Sequence, residues 1–200
     1  MKVKRLIIKS FRGIDNLTLE FNTDEPIVII GNNGVGKSSI LDCIAILLSR
    51  LLYPIQAGYK NVRWRDRNKR SIIGHFFIEE DIKNGGDETE NEITIELDDS
   101  QEVSWSVTNN DNESIEVEDS QEVSWGRKDN EKKNQKFAQL KEVVQNIRHQ
   151  WENSSQVNIP LAVYYPIHRS LLHTPLEIQE GYLFKQIDAY DQALDGIEID

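Results

Sequence analysis

The chain has 200 residues, enough for one domain or one domain with an insertion. Its net charge of −11 argues against a uniformly basic nucleic-acid binder, and its single cysteine, Cys43, excludes an intrachain disulfide and a cysteine-rich metal site. No apolar run reaches the ~18 residues a membrane helix needs, and the block Leu6-Ile7-Ile8 is too short for a signal peptide, so a cytoplasmic protein without a membrane partner is expected.

Residues 2–11 alternate enough to predict a strand, with Val3, Ile7 and Phe11 on one face and Leu6 and Ile8 on the other. Arg12 to Asn16 is turn-like. Leu17, Leu19 and Phe21 then alternate with Thr18 and Glu20, which predicts a half-buried second strand. Ile27-Val28-Ile29-Ile30 is a continuous β-branched run, read as a central parallel strand buried on both faces.

That run leads into Gly31, Gly36, Lys37 and Ser38 in the spacing G-x-x-x-x-G-K-S, the pattern of a phosphate-binding P-loop. Gly31, Gly34 and Gly36 permit backbone angles and close approaches that a side chain would block. Asn32, Asn33 and Val35 complete the loop, whose amides are placed to surround phosphate oxygens at a helix N-terminus. Lys37 is the candidate catalytic cation for the β- and γ-phosphates, Ser38 the Mg²⁺ ligand, and Ser39 a contact for the α-phosphate. ATP and Mg²⁺ are the expected cofactors. Ser39 to Leu52 predicts a helix that Pro54 and Gly58 break, with Cys43 as a small core residue.

Six basic positions between Lys60 and Arg70 surround Trp64, a pattern that suits single-stranded nucleic acid, with a solvated loop touching the nearby acidic segment as the blander reading. Ser71 to Ile82 reads as strand, and Asn84 to Asp87 as a turn. The segment Ile95–Trp105 recurs as Ile115–Trp125, with DSQEVSW identical in both copies. Each copy predicts strand, polar turn, strand, so the duplication is expected to extend an antiparallel sheet, with Trp105 and Trp125 as an alternative docking pair. The carboxylates here lack calcium-loop spacing and predict a solvated acidic face. Asp129 to Lys136 is a charged linker. Phe137 to Trp151 predicts an amphipathic helix packed on its own sheet, and Leu161 to Pro166 a second core strand beside Ile27–Ile30.

The opening strand ending in K-S-F-R-G, a short strand, and then the P-loop resemble the RecF/SMC-like branch of the ABC ATPases. That resemblance implies that Arg12 lies near the bound nucleotide; an exposed turn arginine is the alternative. YYPIHRS and QIDAYDQALDG further resemble the PtuA-type ATPases of bacterial Septu and retron defence systems. This implies an antiviral setting, a head domain that homodimerises around ATP, and a nuclease partner. ABC ATPases place a Gln after the strand matching Leu161–Pro166; here Ile167, His168 and Arg169 stand there. No L-S-G-G-E signature and no apolar run ending in Asp-Glu occurs, so the chain is expected to be the N-terminal part of a longer ATPase whose hydrolysis needs further elements.

The fold class expected is α/β, a P-loop ABC head with an antiparallel β-lobe insertion. Residues 1–52 form the core, 53–156 the lobe, and 157–200 an incomplete return. A non-catalytic nucleotide-gated scaffold and a P-loop kinase or GTPase remain the rival readings.

Overall fold

The structure is a computed structural model that describes residues 1–22, 25–60, 77–98, 100–109, 116–117, 123–124, 131–153 and 158–165. Strands β1 (Lys2–Phe11) and β2 (Ile14–Glu20) form an antiparallel hairpin, with Leu6 opposite Leu19 and Ile8 opposite Leu17. The other edge of β1 pairs with β3 (Glu90–Glu96), and β3 pairs with β4 (Glu102–Thr108). The sheet order is β2-β1-β3-β4, entirely antiparallel. One sheet thus unites strands from the first 52 residues with strands from the expected lobe.

Register explains which residues form the core. Leu6 faces Ile93, which faces Trp105; Val3 faces Ile95, which faces Val103. All of these lie on one face because side chains alternate along a strand. Strict alternation would put Val3 and Phe11 opposite Leu6 and Ile8. Two irregularities correct that expectation. A bulge between Val3 and Arg5 shifts the first residues of β1, and Ser10 has φ 51°, which resets the alternation so that Phe11 is fully buried. The opposite face is charged: Lys9 pairs with Glu90 at 3.0 Å and Arg5 with Glu20 at 3.0 Å.

Helix α1 (Lys37–Lys60) and helix α2 (Glu131–Asn153) complete the core. The prediction that Pro54 ends α1 is wrong: the helix runs through it to Lys60. A helix-interior proline costs ~3 kcal/mol. Burial of Leu51, Leu52, Tyr53 and Ile55 around it offsets that cost. By length and composition alone, residues 37–55 could cross a membrane, but 72% of that stretch is buried here, as befits a core helix. Helix α2 buries Leu140, Val143 and Val144, as its spacing predicts, and it begins at Glu131, inside the expected linker.

Three further expectations change. Ile27–Ile30 forms no strand: Ile27 is 50%, Val28 77% and Ile30 90% exposed. Leu161–Tyr165 likewise forms none, with Tyr165 80% exposed. An apolar run becomes a buried strand only when flanking strands pair with it, and neither run has such a neighbour among the described residues. Residues 77–82 are not a strand but a short 3-10 turn at Glu79–Asp81 and one bridge, Phe11 to Ile82. The strand expectation for residues 71–76 lies outside the described residues.

The duplicated segment splits. Its first copy is the β3–β4 hairpin, and Trp105 is fully buried rather than presented for docking. Its second copy forms a separate pair, β5 (Glu116–Val117) with β6 (Val123–Ser124), instead of extending the larger sheet. Trp125 lies outside the described residues.

Candidate nucleotide-binding site

The loop Gly31–Gly36 runs directly into the first turn of α1 at Lys37, and the helix opens with Ile40 N–H donating to the Gly36 carbonyl at 3.0 Å. Gly34 and Gly36 have φ of 82° and 93°, angles that side chains other than glycine rarely adopt. A Cβ at Gly31 would stand 3.0 Å from Val35 Cγ2. Gly31, Asn32, Asn33, Gly34 and Val35 are exposed, while Gly36, Lys37, Ser38 and Ser39 are half-buried at the helix start. Lys37 Nζ donates to the carbonyls of Gly31 (2.8 Å) and Asn32 (2.7 Å), so the ammonium sits inside the curve of its own loop.

These features fit a bound phosphate chain and its Mg²⁺. The loop is open and glycine-shaped, the helix dipole favours an anion at its N-terminus, and a cation and a hydroxyl stand at the base. No group of three or more His, Cys, Asp or Glu arranged to hold a metal occurs among the described residues, and the Ser38 hydroxyl stands half-buried at the helix start. Such a ligand normally shares the ion with phosphate oxygens and water.

Arg12 reaches the same region. The turn it occupies leads into Ile14 at the start of β2, whose side chain lies 3.4 Å from where a Cβ at Gly36 would be. Arg12 itself has φ 49°. Its Nε donates to Asp81 Oδ1 at 2.8 Å, its Nη1 donates to Asp42 Oδ2, and its backbone N–H donates to the Asp81 carbonyl at 2.7 Å. The guanidinium carbon lies 4.9 Å from the centre of the Phe11 ring. Burial alone would lower the Arg12 pKa; hydrogen bonds and Coulomb attraction from Asp81 and Asp42 outweigh it and raise the pKa. The Tyr164 hydroxyl donates to Asp42 Oδ1, and burial followed by that bond pushes the phenol well upward.

Asp42, Asp81 and Tyr164 are the members of this cluster that sequence reasoning missed. Asp42 lies four residues after Ser38 and so shares its helix face, the one local signal available. Asp81 and Tyr164 carry no such signal. His168 and Arg169, and the basic positions from Arg63 to Arg70, lie outside the described residues.

A family model described as "AAA domain" matches residues 5–200, and the chain belongs to that family. One solved structure that matches is described as "Structural biochemistry of ATP-driven dimerization and DNA stimulated activation of SMC ATPases". It is 20% identical over 55% of this chain, with a TM-score of 0.32, a likeness too slight to carry an argument. This chain spans 65% of that one. No curated protein matches.

Proposed function

We propose that this chain binds Mg-ATP as part of a RecF/SMC-like ABC ATPase. The observation that carries this reading is the glycine-shaped loop opening onto α1 with Lys37 curled into it and Ser38 beside it. Gly31, Asn32, Asn33, Gly34, Val35 and Gly36 cradle the phosphates with Lys37. Ser38 takes the Mg²⁺, and Ser39 reaches the α-phosphate. Ser38 would hold the Mg²⁺, whose charge would offset that of the triphosphate. Membership of the AAA domain family supports nucleotide binding in general.

In this reading the head homodimerises around ATP, and hydrolysis needs a signature motif and a metal-holding acid in addition to the residues named here. The setting is cytoplasmic anti-phage defence with a nuclease partner, and the Lys60–Arg70 stretch contacts nucleic acid. Residues 1–52, 53–156 and 157–200 act as core, lobe and return to the core.

Thermal unfolding tests the binding step. Ligand that binds only the folded state at 100 times its Kd adds about 2.7 kcal/mol of stability. Saturating Mg-ATP is expected to raise the Tm, and to raise it less when EDTA removes the metal. An unchanged Tm at millimolar Mg-ATP contradicts the reading.

A further inference from the structure

Arg12 stands where four segments meet. It occupies the β1–β2 turn, Asp42 comes from α1, Asp81 from the 3-10 turn, and Tyr164 from residues 161–165. Two carboxylates on different elements fix the position and the plane of the guanidinium, and the Phe11 ring lies against it. Arginine carries five N–H donors in a rigid fork. The contacts to Asp42 and Asp81 use Nη1 and Nε; Nη2 has no protein partner among the described residues, and the side chain stays 34% exposed. Asp42 is oriented in turn by the Tyr164 hydroxyl on its other oxygen.

The cluster lies beside the phosphate-type loop. Ile14, two residues from Arg12, packs toward Gly36, and Asp42 sits about one helical turn beyond Ser38. A guanidinium tethered through Nε and Nη1, with one donor taken on each of its two bidentate edges, keeps Nη2 to receive an anion. The two carboxylates reduce the local positive charge, so what they contribute is orientation rather than field strength. An arginine already held loses less side-chain freedom on binding than one free in solvent.

We propose that Asp42 and Asp81 are positioning residues that hold Arg12 with its Nη2 toward a phosphate of the nucleotide seated at residues 31–38. This rests on the nucleotide-binding reading above. Asp42 and Asp81 do not touch the ligand; they act through Arg12.

A double-mutant cycle tests it, with Mg-ATP affinity measured by calorimetry on the full chain. Arg12→Gln is expected to bind about tenfold more weakly, the loss of one hydrogen bond to a charged group. Asp42→Asn is expected to weaken binding severalfold, and the double variant to bind no more weakly than Arg12→Gln alone. Additive losses, or wild-type affinity in Asp42→Asn, overturn the proposal. Arg12→Lys keeps the charge but cannot span both carboxylates, so it is expected to bind as poorly as Arg12→Gln even if Asp42→Asn proves unstable. Wild-type affinity in Arg12→Lys also overturns it. Lys37→Ala separates the two readings. If that variant binds like the wild type, nucleotide binding at the loop fails; if it loses binding while Arg12 and Asp42 act independently, only the positioning role fails.

Discussion

The indole Nε1 of Trp105 donates a 3.0 Å hydrogen bond to the backbone carbonyl of Leu47, which joins the centre of β4 to the middle of α1. The helix that begins at Lys37 is thereby fixed on the sheet through a buried polar contact as well as through apolar packing. Trp105 is 0% exposed and among the largest buried side chains. Trp105→Ala is expected to cost about 3–5 kcal/mol of folding stability in urea titration. Trp105→Phe should cost less, because the ring volume is mostly kept while the hydrogen bond is lost. A loss below about 1 kcal/mol for Trp105→Ala would mean that β4 does not anchor α1.

Cys43 gives a chemical measure of opening at the same helix. Burial raises its pKa well above 9.0, Asp81 and Asp42 add to the shift, and Arg12 opposes it. A thiol whose folded pKa is raised contributes stability that is present below the unfolded value. That stability is lost as pH rises through the folded value, because the unfolded chain ionises first. Stability is therefore expected to fall as pH rises above about 9. Iodoacetamide should modify Cys43 only as fast as the core opens, and faster in urea. Rapid alkylation of the native chain at pH 8 would contradict the buried placement.

The glycines of the loop and of the β1–β2 turn make different demands. Gly36 has φ 93°, and a Cβ there would also stand 3.4 Å from Ile14. Gly36→Ala is expected to cost about 1–3 kcal/mol through backbone strain and to weaken nucleotide binding. Gly13 is the control: nothing lies within 4 Å of a Cβ there, and its φ is not in the left-handed region. Gly13→Ala should leave stability within about 0.5 kcal/mol of the wild type. Equal effects at the two positions in thermal melts would show that the Gly36 conformation carries no special demand.

The sequence announces some of this architecture plainly and conceals the rest for identifiable reasons. Period-two alternation at Leu17 and Leu19 and helical spacing through Leu140 to Ile147 predict half-buried faces, and these faces are present. The G-x-x-x-x-G-K-S spacing likewise predicts a helix start beside a glycine loop, which the fold provides. Strict alternation puts Phe11 on the wrong face, because a positive φ at Ser10 leaves no compositional trace. The Ile27–Ile30 run is apolar enough for a central strand, yet hydrophobicity does not say whether pairing partners exist. Arg12 could be singled out by resemblance. Its partners could not, since Asp42 is 30 residues away and Asp81 69, distances at which no local pattern operates.

The central claim is that the loop from Gly31 to Ser38 holds a nucleoside triphosphate through Lys37. Calorimetric Mg-ATP binding to the wild-type chain and to Lys37→Ala, with folding of both confirmed by circular dichroism, tests it most directly. Saturable binding by the wild type and loss of most of that affinity in a folded Lys37→Ala is the predicted result. Equal affinity in the two proteins would contradict it.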